Sequence, residues 1–144
     1  MHPINTHVGH LYNAANQALA PASQVEGIRE GAAIDVSKYQ SGTLVANVGS
    51  ISGGPTATVI TYSLQSSATG TDGWTALRDL DDTEAELTIT SANTCSELDF
   101  ALQHVPQDHR FLRVVEMVEF TDGTTPAVVA GATLVLGGGQ RLPL

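Results

Sequence analysis

The sequence predicts an all-β protein, specifically a jelly-roll-like antiparallel β-sandwich of about eight strands. Two observations lead to this fold class. Short segments alternate apolar and polar residues with a period of two, which is typical of half-buried strands. Turn-forming residues recur every 8 to 15 positions between these segments, and helical periodicity is almost absent. At 144 residues the chain is long enough for one domain with its own core.

The first 30 residues differ in composition from the rest, because they are rich in Ala, Asn, Gln and His. We therefore expect an irregular N-terminal arm over residues 1–30. A short helix is predicted from Tyr12 to Leu19, since Ala, Gln and Leu favour helices, although so short a helix does not hold alone. The segment is either a frayed terminus or an arm that becomes ordered against a neighbouring subunit, with Leu11, Tyr12 and Leu19 as its contacts.

From Gly31 the sequence becomes typical of β structure, and a β-sandwich domain is predicted over residues 31–138. The clearest strand is ATVITYSLQSS, in which Ile60, Tyr62 and Leu64 fall on one face. Trp74, beside a turn, is interpreted as a lid on the core. Strands are predicted over 34–37, 43–49, 57–67, 74–80, 85–90 and 96–105.

The segment Arg110 to Gly138 contains two apolar runs separated by TDGTTP, which predicts a long antiparallel hairpin. The first run does not alternate cleanly. Its Leu112, Val114 and Val118 fall on one face and three further apolar residues fall on the other, so the strand is either covered on both sides or interrupted by a bulge. The second face predicts a subunit contact. Its dimer-interface candidates are Phe111, Val115 and Met117.

Residues 139–144 form a predicted C-terminal tail, because the glycines before it prevent a regular element. The tail is either disordered or docked on a neighbouring molecule. Its candidate contact residues are Arg141, Leu142 and Leu144.

Acidic residues outnumber basic residues in this sequence. Six Lys and Arg against fifteen Asp and Glu give a net charge of −9, and Lys38 is the single lysine. Such a surface repels phosphate backbones, so direct nucleic-acid binding is not expected. No apolar run approaches the ~18 residues of a membrane span, and the N-terminus lacks the pattern of a secretory signal.

No catalytic or cofactor motif is present, so we expect neither an enzyme nor a cofactor. The acidic cluster from Asp79 to Glu86 lacks the ligand pattern of an EF-hand and is interpreted as a solvated loop. Histidines near the N-terminus predict at most an incidental metal site. Cys95, the single cysteine, is interpreted as a buried or half-buried residue in a turn-rich segment.

Three stretches carry a family resemblance. AIDVSKYQSGTLVANVGSISGG, ATVITYSLQSSATGTDGWTAL and the final RFLRVVEMVEFTDGTTPAVVAGATLVLGGGQRLP resemble, in order and texture, the capsid cement (decoration) proteins of tailed phages, of the Bordetella short-tailed phage type. The similarity covers about residues 32 to 143. Its positions are strand and turn residues, so no binding residue is implied by it.

The resemblance implies a jelly-roll sandwich that forms a homodimer and binds the major capsid protein on the outer surface of the virion. A phage tail or adaptor subunit is one alternative, because small sandwiches also build tails. A carbohydrate- or ligand-binding jelly roll is another and would need exposed aromatic residues. A cupin-type enzyme would need a histidine-rich metal set, which no predicted strand contains.

Overall fold

The computed structural model describes residues 8–79 and 81–139, and over these residues the protein is an antiparallel β-sandwich, which confirms the predicted fold class. Two short 3-10 turns, Val8–His10 and Leu102–His104, accompany ten strands in this part of the chain. The strands are β1 (Tyr12–Gln24), β2 (Gly27–Glu30), β3 (Ile34–Asp35), β4 (Ser41–Ser52), β5 (Ala57–Ser67), β6 (Thr75–Ala76), β7 (Glu86–Ile89), β8 (Thr94–Ala101), β9 (Phe111–Thr121) and β10 (Ala127–Gly137).

The strands are arranged in two sheets that face each other. The first sheet has the order β1-β10-β4-β8, and the second has the order β2-β9-β5-β6, with β3 added to β9 and β7 added to β5. The pairs β1–β10, β2–β9, β4–β8 and β5–β7 are nested along the chain. This nesting is what a long folded ribbon produces when it rolls into a jelly roll.

The predicted hairpin of residues 110–138 is wrong. β9 pairs with β2, β3 and β5, whereas β10 pairs with β1 and β4, so the two strands lie in opposite sheets. The connection at Asp122 and Gly123 has positive φ angles of 58° and 93° and carries the chain across the sandwich. The bulge, one of the two alternatives for this strand, is absent from the β9–β5 pairing, whose register is unbroken from Phe111 to Thr121.

The predicted N-terminal arm and its helix are wrong for residues 12–30, whereas residues 1–7 lie outside the described residues. Residues 12–24 form β1, which pairs with β10 along its whole length and contains three irregularities in register. Ala18 and Leu19 are both buried in the core. Tertiary pairing overrides the helix preference of Ala, Gln and Leu, because that preference is worth only a few tenths of a kcal/mol per residue. The sandwich therefore includes residues 12–30, and the predicted boundary at residue 31 is not a boundary.

The core lies between the sheets and is built from alternate residues of each strand. Ile60, Tyr62 and Leu64 of β5 are fully buried, as the sequence predicts, and so are Leu112 and Val114 of β9. The predicted strand over 34–37 is shorter than expected, because only Ile34 and Asp35 pair with β9. The outward residues of the same strands form two broad surfaces on opposite sides of the molecule.

Candidate functional site

The outer surfaces of the two sheets are the candidate sites for interaction. We call the outer side of β2, β9, β5 and β7 the acidic face. We call the outer side of β1, β10 and β4 the uncharged face. The two faces point away from each other, since each lines the opposite side of its sheet from the shared core.

An apolar patch occupies the middle of the acidic face. Val115 and Met117, which the sequence assigns to a dimer interface, lie here on β9 and are half-buried, as is Phe111 nearer the strand's start. Ile28 of β2 stands opposite Met117 and is 68% exposed. The inner side of β9 is therefore buried and its apolar outer side is partly exposed, and the dimer contact on that side stays a prediction.

Carboxylates surround this apolar patch. Glu26 and Glu30 lie on one side, Glu119 lies at the end of β9, and Glu86 of β7 lies beyond β5; all four are exposed. The single cation on the outward positions of these strands is Arg113.

Arg113 is already bound within the molecule. Its guanidinium lies 2.9 Å from the Glu30 carboxylate and donates a hydrogen bond of 2.8 Å to Gln65. It also stacks on the Trp74 ring at 4.4 Å from the centroid. The face consequently presents apolar side chains within a negatively charged border.

The uncharged face has a different chemistry. β1, β4 and β10, with 13, 12 and 11 residues, contain no Asp, Glu, Lys or Arg. Their outward side chains are small, aliphatic or uncharged polar ones such as Gln17 and Asn47, and a groove of about 540 Å³ runs over β1 and β10. Charge returns only at the border strand β8, where Glu97 and Asp99 are exposed. The sequence already shows that these three segments lack charged residues. Only the structure shows that they are neighbouring strands and so form one uncharged surface.

The contact residues predicted near the two ends of the chain differ in their exposure. Leu11 is 43% exposed and Tyr12 is half-buried at the start of β1, so both are accessible. Leu19 is 4% exposed and belongs to the core, so its assignment as a surface contact is wrong. Arg141, Leu142 and Leu144 lie outside the described residues.

A buried ion pair that the sequence analysis missed joins the two sheets. Glu116 of β9 is fully buried, and the Arg29 guanidinium lies 3.1 and 3.3 Å from its two carboxylate oxygens. Arg29 also donates hydrogen bonds to the backbone carbonyls of Ala20 and Ala130 in the opposite sheet. Glu116 stands at an inward position between Val114 and Val118, and that break in the apolar pattern was the signal for it.

Tyr62 lies beside Glu116 in the register of β5 and β9. Its hydroxyl makes no hydrogen bond of standard geometry to the described residues. Burial raises the pKa of Tyr62 well above its ordinary value, and the negative charge of the adjacent Glu116 and the contact with it raise the pKa further. The phenol therefore stays neutral, and this cluster is a structural element of the core.

The fold brings one serine and one histidine together. Ser66 Oγ lies 2.9 Å from His109 Nδ1. Ser66 is only 2% exposed, so its hydroxyl is not available to attack a substrate. The pair therefore anchors the segment after β8 to the end of β5.

Backbone N–H groups of the acidic loop donate hydrogen bonds to one of the loop's own carboxylates. Asp79 Oδ1 accepts hydrogen bonds from the N–H groups of Asp81 and Thr83 at 2.9 and 3.0 Å. Within residues 8–79 and 81–139 no group of three or more His, Cys, Asp or Glu side chains is arranged to hold a metal ion. Cys95 is exposed on β8, so its interpretation as a buried or half-buried residue is wrong.

Three of the four Tyr and Trp side chains are engaged within the molecule, and the fourth, Tyr12, is half-buried at the start of β1. Tyr62 is in the core, Trp74 is covered by Arg113, and Tyr39 accepts a hydrogen bond of 3.0 Å from Asn13. A carbohydrate-binding surface needs aromatic rings exposed side by side. The positions of these three rings do not supply one.

Comparison with known proteins adds no assignment: the sequence matches no protein-family profile and no curated protein. Over the residues that the structure describes, no helix is long and apolar enough to cross a membrane.

Proposed function

We propose that this protein is a structural component of a virion that binds the outside of an icosahedral phage capsid and stabilises it by bridging capsid subunits. The observation that supports the proposal is a pair of opposed outer surfaces on one sandwich, one with an apolar centre and an acidic border and one without charge. A module with a binding surface on each side can connect two partners at once. The resemblance of three stretches of the sequence to capsid cement proteins supports the same function.

The acidic face is the surface that we assign to the capsid. Its apolar centre, with Ile28, Val115 and Met117, offers area to bury, and the surrounding carboxylates favour a partner that carries Lys or Arg around an apolar patch. Interfaces with this chemistry associate faster and more selectively than purely apolar ones, because the charges steer the encounter. Leu11 and Tyr12 at the start of β1, together with the tail residues Arg141, Leu142 and Leu144, are further capsid-contact candidates.

Stabilisation then follows from numbers of contacts. A single contact of standard size buries about 1,200–2,000 Å² in total. Many copies bound across subunit borders act together, since each bound copy favours the closed arrangement of its neighbours. The function needs shape and charge at the surface and requires no reacting group.

The experiment is the addition of purified protein to capsids assembled without it. We expect the protein to co-sediment with the capsids in many copies per particle and to raise the temperature at which DNA is released. Capsids that are equally heat-resistant with and without bound protein would refute the stabilising role. Binding of only a few copies at one vertex would favour the tail or adaptor alternative.

A matched pair of charge reversals tests the assignment of the acidic face. Glu119→Lys lies on this face, and Asp81→Lys lies in the acidic loop; both positions are exposed and both variants change the net charge by the same amount. We expect Glu119→Lys to weaken capsid binding by at least about tenfold, which corresponds to about 1.4 kcal/mol. Asp81→Lys should bind as the unmodified protein does. Equal losses in both variants would show that only the overall charge matters and would contradict the assignment.

A further inference from the structure

We infer that the uncharged face is the surface through which two copies of this protein associate, with the outer sides of β1, β10 and β4 stacked against the same strands of the second copy. The inference does not rest on the capsid role, because self-association can be measured without any capsid. It relocates the dimer contact from the acidic face, where the sequence placed it, to the opposite side of the sandwich.

The first argument is electrostatic. Each copy carries a net charge of −9, so two copies repel each other, and the repulsion is smallest where the contact surfaces carry no charge of their own. On the acidic face a second copy would bring Glu26, Glu30, Glu86 and Glu119 towards their counterparts, and the one outward cation, Arg113, is held by Glu30. On the uncharged face, β1, β4 and β10 contain no charged residue. Contact there brings no carboxylate of these strands close to another.

The second argument is the composition of the surface. Solvent-facing strands normally carry Lys and Glu, which keep them soluble and prevent edge or face association. Depletion of charge is instead typical of the centre of a protein–protein interface. Val45 and Thr133 form a cross-strand pair in the middle of this face, and Val129 at its end is 41% exposed. The adjoining groove is lined by small residues such as Ala14, Pro21 and Gly131 and by three uncharged amide side chains.

The third argument is size. Three strands about 4.8 Å apart and about ten residues long cover a flat area of roughly 14.4 by 33 Å, which is about 475 Å² in each copy. Two copies give roughly 950 Å² before the relief of the side chains is added, and the lower end of stable interfaces is about 1,200 Å². A contact confined to this face is therefore at the small end of the range, which is typical of weak and reversible association.

The test uses two variants of the same chemical change on opposite faces. Thr133→Arg adds a cation at the centre of the uncharged face, and Thr61→Arg adds one at an outward position of the acidic face; both residues are half-buried and lie on inner strands of their sheets. Sedimentation equilibrium of the unmodified protein should give about twice the chain mass of 15.0 kDa. Thr133→Arg should weaken the dimer at least tenfold, while Thr61→Arg leaves it unchanged.

The opposite pattern, with monomers from Thr61→Arg and dimers from Thr133→Arg, would overturn the inference and restore the β9 surface as the dimer contact. The inference is also overturned if the unmodified protein stays monomeric at about 100 µM, because a weak dimer still forms at concentrations of that order.

Cys95 provides a second measurement should Thr133→Arg fail to fold. It pairs with Asn47 at the border of the uncharged face and is exposed in the single chain. Its reaction with a bulky thiol reagent should slow several-fold as the protein concentration rises through the dimer dissociation constant. A rate independent of concentration, in a protein shown to be dimeric, would place the contact elsewhere.

Discussion

The Arg29 guanidinium and the buried Glu116 carboxylate lie 3.1 Å apart and connect the edge strand β2 to the centre of the second sheet. Arg29 extends further to the carbonyls of Ala20 and Ala130, so one side chain ties both sheets together. A fully buried carboxylate is costly unless it is paired. The integrity of this corner therefore depends on the pair being complete.

Removal of one partner should destabilise the protein strongly. Arg29→Met leaves Glu116 buried without its counter-ion, and we expect the free energy of unfolding to fall by about 3 kcal/mol, the lower end of the range for a broken buried pair because Arg29 is partly exposed. The double variant Arg29→Met/Glu116→Met should recover most of this loss. Urea unfolding of the two variants gives both values. A double variant less stable than Arg29→Met would contradict the idea that the unpaired charge is the cause.

Gly31 should tolerate no side chain. A Cβ atom there would lie 2.3 Å from the backbone carbonyl oxygen of Ala18 in β1 and 3.1 Å from that of Val114. Gly31→Ala must therefore push β1 away, and we expect a loss of about 1–3 kcal/mol in the free energy of unfolding. Gly9→Ala is the matched control, since nothing lies within 4 Å of its Cβ position. Thermal unfolding that shifts equally in both variants would argue against this contact.

Trypsin should cleave the free protein after Arg29 only slowly. Arg29 lies in β2 with its guanidinium anchored on Glu116, and β1 before it is paired with β10. We expect cleavage after Arg29 only at the rate of global unfolding, and faster cleavage after Arg78, whose side chain is 49% exposed. Mass spectrometry of timed digests distinguishes the products. Early appearance of a fragment that begins at Glu30 would instead support the hypothesis of a mobile N-terminal arm.

Asp35 should give the protein a pH dependence in the acid range. Hydrogen bonds from the Ser37 side chain and then from Arg110 lower the pKa of Asp35 from 3.8 to about 2. Because the folded pKa is depressed, the ionised carboxylate stabilises the fold above pH 3.8 and this contribution is lost as the pH falls towards 2. Asp35→Asn should therefore be less stable than the unmodified protein at pH 7, by less than about 1 kcal/mol because the pair is exposed. The difference should vanish near pH 2.

Urea midpoints measured from about pH 2 to about pH 5, a range that covers the loss of this contribution, follow the difference. Ser37→Ala is an intermediate control, since it removes one hydrogen bond and leaves Arg110 in place. A constant difference between Asp35→Asn and the unmodified protein across this range would mean that the carboxylate charge contributes nothing.

The sequence by itself determined the fold class and much of the inward pattern of the strands. Period-two alternation identifies Ile60, Tyr62 and Leu64 as core because successive side chains in a strand point to opposite faces. Turn residues mark where strands end because Gly and Asp adopt the backbone angles that turns require. These signals are local, and a local signal can be read without knowing which strands are neighbours.

The tertiary structure decided the pairing of strands, and with it the character of the surfaces. β9 and β10 follow one another in the chain but lie in opposite sheets, while β1 pairs with β10 from more than a hundred positions away. Likewise, the burial of Glu116 becomes acceptable only when Arg29 reaches it from another strand. Three uncharged strands form one uncharged face only because the roll places them side by side. Contacts between residues distant in sequence set these features, because a hydrogen-bonding edge can accept any strand that also completes the core.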